Sequence, residues 1–240
     1  MNFLNHDIQI KTQKSENFIE IDINENHFRI DLTDEFNSRF INHVKRGNGF
    51  RENEVYEPAT SRALVALGKK YNIERAYDIG CQNLFTTLQM QRIFDCEVVG
   101  YDIDEVALNA ARINLKLNGD ASIEIVERGL GDGTDGNLIL NELGKADLVF
   151  IDIEGYQAKV FEGGMQWIEK HRPIFVYETD TNIASLWIKP DKEILKPLSE
   201  IDYVFFLCED HRKNKPFKQI ECKDIPVGDG LLICIPKEKM

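Results

Sequence analysis

Carboxylates recur where short apolar segments stop. Asp78 and then Gly80 follow Arg75-Ala76-Tyr77, and Asp102 follows Val98-Val99-Gly100-Tyr101. Asp152 and Glu154 follow Leu148-Val149-Phe150-Ile151, and Glu178-Thr179-Asp180 follows Ile174-Phe175-Val176-Tyr177. An unpaired carboxylate is costly to bury, so acids repeated at segment ends point to ligand contacts. Asp102 stands 24 residues after Asp78 and can accept hydrogen bonds from ribose hydroxyls. Gly80 lets the backbone pass close to a ligand. A dinucleotide site asks for Gly-x-Gly-x-x-Gly, which brings a diphosphate to a helix N-terminus. Here Gly80 is followed by Cys81-Gln82-Asn83-Leu84-Phe85, with no second glycine. Asp78 would repel a diphosphate and attract an ammonium. The cofactor this pattern favours is zwitterionic and free of phosphate.

These acids need a scaffold that brings segment ends together. Strands are expected at 75–79, 97–101, 123–126, 147–151 and 174–177, the fourth apolar enough to be buried on both faces. Helical patterns separate them. Pro58 opens one helix, where a missing N–H costs nothing. Another falls near 83–93. Val106, Ala110, Ile113 and Leu117 repeat at helical spacing and stop at Gly119. A further helix covers 157–170, with Gly163-Gly164 as its weak spot. Alternating strands and helices imply a doubly wound α/β sheet whose ligands sit beyond the carboxyl ends of the strands. Two more strands, 203–207 and 231–235, are joined by a polar segment and read as an antiparallel pair closing the sheet edge. Residues 1–55 read as an N-terminal extension, and 56–240 as the main domain. Residues 18–23 and 28–32 alternate apolar and polar around Asn24-Glu25-Asn26, as a hairpin does. Gly47-Asn48-Gly49 marks a loop after it.

Composition narrows the partners. A net charge of −12 argues against a broad nucleic-acid surface, which needs clustered cations. Arg212, Lys213, Lys215 and Lys218 read as a solvated loop. The five cysteines form no CxxC pair, and their odd number fits a reducing compartment. No stretch reaches the ~20 apolar residues of a membrane span. The N-terminus lacks a signal-peptide pattern, so the expected location is the cytoplasm.

Taken in order, several motifs resemble the FkbM family of S-adenosylmethionine-dependent methyltransferases. They are Tyr56-Glu57-Pro58, Tyr77-Asp78-Ile79-Gly80-Cys81, Ile103-Asp104-Glu105-Val106, Leu115-Lys116-Leu117-Asn118 and Gly129-Leu130-Gly131-Asp132. Phe150-Ile151-Asp152-Ile153-Glu154-Gly155-Tyr156, Lys159-Val160-Phe161-Glu162-Gly163-Gly164 and Arg172-Pro173 with the following segment to Glu178 complete the set. The resemblance runs from about Tyr56 to Glu178 and is looser beyond. It implies a class I, Rossmann-like fold, and the strand order makes the sheet seven-stranded and mostly parallel, with an antiparallel last pair and the N-terminal hairpin packed outside. It implies cofactor binding by Asp78, Gly80 and Asp102 and an adenine-side loop at Leu130, Gly131 and Asp132. Glu57, Cys81, Ile103 and Asp152 are counted with the cofactor-binding set. Three positions depart from the family pattern. Leu84 stands where a later glycine is common, Phe150 where a lysine is frequent, and Asp102-Ile103 where Glu-Pro is usual.

Methyl transfer needs alignment of nucleophile, methyl and sulfur, and a hydroxyl acceptor also needs a base. Asp152, Glu154 and Glu178 are the candidates. The same acids could instead hold Mg²⁺ through oxygen ligands, or only grip the methionyl ammonium. The expected activity is transfer to a hydroxyl of a small molecule or sugar, with N-methylation as the near alternative. A module that binds the cofactor without turnover is the alternative from a different class. His171 reads as a helix C-terminal charge, and His211 has no role in this pattern.

Overall fold

The computed structural model describes residues 3–47, 55–179, 189–213, 215–228 and 230–240. The expected loop at Asn48 and Gly49 and the acid Asp180 lie outside the described residues. The extension forms a three-stranded antiparallel sheet of β1 (Ile10–Lys14), β2 (Phe18–Ile23) and β3 (Asn26–Asp31). Asn24 and Glu25 link β2 to β3 with positive φ at both positions, the geometry that lets a two-residue turn follow the strand twist. Helix α1 (Glu35–Gly47) follows, so Gly47 lies in a helix. Asp34 caps it by accepting the Asn37 amide at 3.0 Å.

The main sheet has eight strands among the described residues. Its parallel part contains β4 (Arg75–Ile79), β5 (Glu97–Asp102), β6 (Ile123–Glu127), β7 (Leu148–Ile151) and β8 (Ile174–Thr179), which stand in the order β8-β7-β4-β5-β6. β9 (Tyr203–Cys208), β10 (Lys218–Ile220) and β11 (Gly230–Pro236) complete it. β11 inserts between β8 and β9 and runs antiparallel to both. The seven expected strands and the antiparallel pair are present. The sheet edge belongs to the short β10, paired antiparallel to β9. Three residues are too few to show alternation, so this eighth strand leaves no pattern in the sequence.

The helices are α2 (Pro58–Lys70), α3 (Phe85–Phe94), α4 (Glu105–Asn118) and α5 (Gln157–His171), followed by the short α6 (Asp191–Ile194) and α7 (Lys196–Glu200). Each face of the sheet has its own core. Leu64, Leu88, Val98, Leu108 and Phe150 pack on one face, joined by Ile21, Phe28 and Ile30 of the extension. Tyr77, Ile79, Val149, Phe161, Trp167 and Phe175 pack on the other. Phe150 is 2% exposed, so a lysine at this departure would place its charge inside the core. Gly163 and Gly164 are contact points and not weak spots. A Cβ on Gly163 would lie 2.3 Å from the Gly131 carbonyl oxygen, and one on Gly164 would lie 2.6 Å from a Leu140 methyl. No helix among the described residues is long and apolar enough to cross a membrane.

Candidate active site

Strand register sets the site. Tyr101, Ile79, Ile151 and Tyr177 form one row across β5, β4, β7 and β8. One position further on stand Asp102, Gly80, Asp152 and Glu178. Four of the sequence candidates thus share one sheet edge. Beside that edge is a cleft of about 620 Å³, within the range of small-molecule sites. Gly80, Asp102, Ile103, Leu130, Asp152 and Glu154 line it.

The β4–β5 side is built largely from backbone. Gly80 has φ +95°, and a Cβ there would sit 1.8 Å from the Asp152 carbonyl oxygen. Glycine is therefore required for the ends of β4 and β7 to meet, before any ligand is considered. The Asp102 carboxylate accepts the amides of Ile103 at 2.7 Å, Asp104 at 2.9 Å and Gln82 at 2.8 Å. A carboxylate offers about four acceptor positions, so one remains for a ribose hydroxyl. Leu84 has φ +69° and Gln82 φ +44°, in the left-handed region that favours glycine. The position of the absent glycine thus keeps glycine-like geometry, and Leu84 is fully buried.

Asp78 and Cys81 do not line the cleft. Residues along a strand alternate faces. Tyr77 and Ile79 face one core, and Asp78 points the other way, beneath α3, with no exposed surface. Thr87 donates its hydroxyl to one Asp78 oxygen, and the other oxygen has no hydrogen-bond partner among the described residues. Burial pushes the Asp78 carboxyl up to about 7. Cys81 is buried against Gly100, whose added Cβ would meet its sulfur at 2.9 Å. Of the expected adenine-side trio, Leu130 reaches the cleft, with Gly129 and Asn137 beside it. Gly131 packs on Gly163 of α5. Asp132 pairs with Lys159 at 2.6 Å, and that bond with the Thr134 hydroxyl holds its carboxyl below the usual range.

The β7–β8 side is built from side chains. Asp152 reaches the cleft, with Glu178 beside it. Burial and the neighbouring Glu178 and Glu57 charges raise its carboxyl well above the usual range. Behind it, Glu57 and Glu178 are 6% and 7% exposed. His211, fully buried, places Nε2 at 3.1 Å from Glu57 Oε1 and 3.3 Å from Glu178 Oε1. Arg212 Nη2 lies 3.3 Å from Glu178 Oε1, and its Nε lies 3.7 Å from Glu57 Oε1. Burial alone would lower the His211 imidazole; the two carboxylates outweigh it and raise it to about 9. Arg212 therefore does not belong to a purely solvated loop, and His211 has a defined place. Both come from the turn after β9. Nothing in the local sequence distinguishes this turn from a surface loop. Glu154, with φ +50°, is exposed at the rim.

Donor atoms of Glu57, Glu178 and His211 lie within 4.8 Å of one another, a spacing a cation could bridge. His211 and Arg212 already oppose those carboxylates. The expected oxygen-only set of Asp152, Glu154 and Glu178 is divided between a buried ion network and the exposed rim. Mg²⁺ favours octahedral oxygen coordination, so these residues do not fit it.

No protein-family model matches the chain. A 77-residue stretch is 32% identical to a ribosomal protein L11 methyltransferase of Caldanaerobacter subterraneus subsp. tengcongensis. The match covers 32% of this chain and only 22% of that relative. A candidate O-methyltransferase from Klebsiella pneumoniae superposes with a TM-score of 0.50 at 16% identity, covering 83% of this chain and 88% of that one. Methyltransferase PaMTH1 of Podospora anserina, with S-adenosylhomocysteine bound, gives a TM-score of 0.50 at 13% identity, covering 83% and 87%. The chain has the fold of class I S-adenosylmethionine-dependent methyltransferases.

Proposed function

We infer that the chain is an S-adenosylmethionine-dependent methyltransferase acting on a hydroxyl of a small molecule or sugar, with Asp152 as the base. The observation that carries this reading is the shared row of Asp102, Gly80, Asp152 and Glu178 beside one cleft. The FkbM-like assignment rests on the ordered motifs from Tyr56 to Glu178.

The cleft fits the cofactor in volume and in donor chemistry. Asp102 holds the ribose, and Leu130 and Ile103 supply apolar surface on the β5–β6 side. Gly80 keeps its centre free of side chain. This order along the sheet leaves the acceptor on the far side of β4, where Asp152 stands. The cofactor, when bound, supplies an electrophilic methyl group. Asp152 would take the acceptor's hydroxyl proton as the C–O bond forms and the methyl–sulfur bond breaks, its electron pair staying on sulfur. A carboxyl held above its ordinary value is a better base near neutrality than an ordinary carboxylate. Glu178, held by His211 and Arg212, places a fixed carboxylate beside Asp152.

Asp152→Asn keeps the shape and removes the proton acceptor. Turnover of radiolabelled cofactor on a panel of sugars and alcohols should fall ~100-fold, with S-adenosylhomocysteine affinity nearly unchanged. Unaltered turnover would exclude Asp152 as the base. A protein that binds S-adenosylhomocysteine and methylates none of the panel would favour the binding-module reading. A second reading, transfer to an amino group of a protein, is favoured by the match to the L11 methyltransferase; labelling of a ribosomal fraction tests it.

A further inference from the structure

The extension reaches the cleft. Phe36, in the first turn of α1, is among its lining residues, as are Asp102, Ile103, Asp104 and Ala107. Two sets of contacts fix α1 there. Asn37 accepts from the side-chain amides of Asn83 and Asn114, each at 3.0 Å. Asn114 also donates to the Asn83 carbonyl at 2.8 Å and accepts the Asp31 amide at 2.8 Å. All three asparagines are essentially without exposed surface. One turn along α1, the Phe40 ring meets Tyr56 at 5.2 Å and Phe85 at 5.6 Å.

Buried amides cost free energy unless satisfied. This network therefore sets α1 against both the loop after Gly80 and the body of α4. Asn114 lies on α4 downstream of Ala107, and Ala107 itself lines the cleft. Phe36, one residue before Asn37, thus lines the cleft on the α4 side, the side of the row on which Asp102 stands, and away from its other end at Glu178.

We propose that α1 of the N-terminal extension completes the cofactor site, with the Phe36 ring forming the wall over the nucleoside end of S-adenosylmethionine. The proposal rests on the cofactor reading above. It assigns residues 1–55 a part in binding, where the sequence pattern implied only an outer position. An aromatic ring offers a rigid apolar face that packs against a purine or ribose at small entropic cost.

Calorimetry with S-adenosylhomocysteine and with 5′-methylthioadenosine tests it, since the second ligand keeps the nucleoside and lacks the amino-acid end. Phe36→Ala should weaken both by the same factor, about tenfold, the scale for losing an aromatic contact. Phe36→Trp should keep the affinity and report it. The emission of this variant should change on titration with S-adenosylhomocysteine beyond the response of the wild type, whose own two tryptophans give the baseline. Phe36→Ala binding both ligands within twofold, or a Phe36→Trp variant whose added emission is indifferent to saturating ligand, would overturn the proposal. If Phe36→Ala does not fold, the Phe36→Trp titration decides alone. A wild type that binds neither ligand would instead remove the cofactor reading, and this proposal with it.

Discussion

The sheet edge on the two sides of Gly80 is built in different ways. Toward β5 and β6, the chain presents backbone: the turn at Gly80, the amides gathered by Asp102, and the loop at Gly129 and Leu130. Toward β7 and β8 it presents side chains from separate segments. Glu57 enters ahead of α2, Asp152 and Glu178 stand at strand ends, and His211 and Arg212 come from the turn after β9. The first side suits a ligand of constant shape. The second can vary residue by residue without disturbing the strands, as expected where acceptors differ between proteins of one fold.

The largest expected effect tests whether the two sides depend on one hinge point. Gly80→Ala places a methyl 1.8 Å from a backbone oxygen at φ +95°. No side-chain rotation relieves that contact, so the end of β7 must move and carry Asp152 with it. Overpacking and left-handed strain together should cost ~3 kcal/mol or more. S-adenosylhomocysteine binding should fall below detection by calorimetry. Affinity within threefold of wild type would mean that the ends of β4 and β7 can part without loss of the site.

The next effect belongs to the side-chain half. His211 is held near 9 against an ordinary value of 6.5, so its stabilisation is complete below pH 6.5. As pH rises through about 9 the folded state loses the extra proton, and stability falls with it. The thermal midpoint should drop several degrees between pH 7 and 9. The imidazole, followed by NMR, should titrate in the same range. Asp78, raised to about 7, contributes its own loss of stability with rising pH, complete by about pH 7 and thus mostly below this window. A His211 resonance titrating at 6.5 or lower, with a flat midpoint, would remove the imidazolium from between the two glutamates.

The backbone half should respond more modestly to losing a side chain. Asp102→Ala removes an acceptor of three amides and of the proposed ribose hydroxyl. S-adenosylhomocysteine affinity should fall by roughly 1–3 kcal/mol, the scale for hydrogen bonds to a charged group. The pH profile of the His211 network should stay as in wild type, since Asp102 stands three strands away from Glu178 in the row. A changed profile would show that the halves are coupled.

The difference between the halves also explains what can be read from the sequence. Near-continuous apolar runs mark β7 and β8, Gly119 marks the end of α4, and the alternation at 18–23 marks β2, because each signal is local. Helix α1 has a local signal as well, though the hairpin beside it is the plainer pattern. Phe36, Phe40, Ile41 and Val44 repeat at helical spacing behind the Asp34 cap. Strand β1, Ile-Lys-Thr-Gln-Lys, has one apolar residue and sits at a sheet edge, where no burial enforces a pattern. Gly163 and Gly164 look like helix defects because their partners, Gly131 and Leu140, are supplied by another segment. Asp78 stands at the expected strand end but on the opposite face, since the type of residue shows the charge and only the pleat shows its direction. His211 and Arg212 acquire meaning only when folding brings Glu57 and Glu178 to them.

The smallest expected effect separates two carboxylates that look alike in the sequence. Asp152 and Glu154 both line the cleft, but they differ in setting. Asp152 stands beside Glu178 and is raised by burial and by the charges around it, Glu154 among them. Glu154 sits in a left-handed turn at the exposed rim. Interactions of exposed charges are worth ~0–1 kcal/mol because water and salt screen them. Glu154→Gln therefore removes little that a substrate would feel. It also withdraws one negative neighbour from Asp152, which eases ionisation of the proposed base. Turnover should change by less than about threefold, and any change near neutral pH should be upward. The measurement is a pH–rate profile of Glu154→Gln beside Asp152→Asn. A tenfold or greater loss in the glutamate variant, with little in the aspartate variant, would move the base to the rim. The buried network would then be a support for the strand ends and not a part of the chemistry.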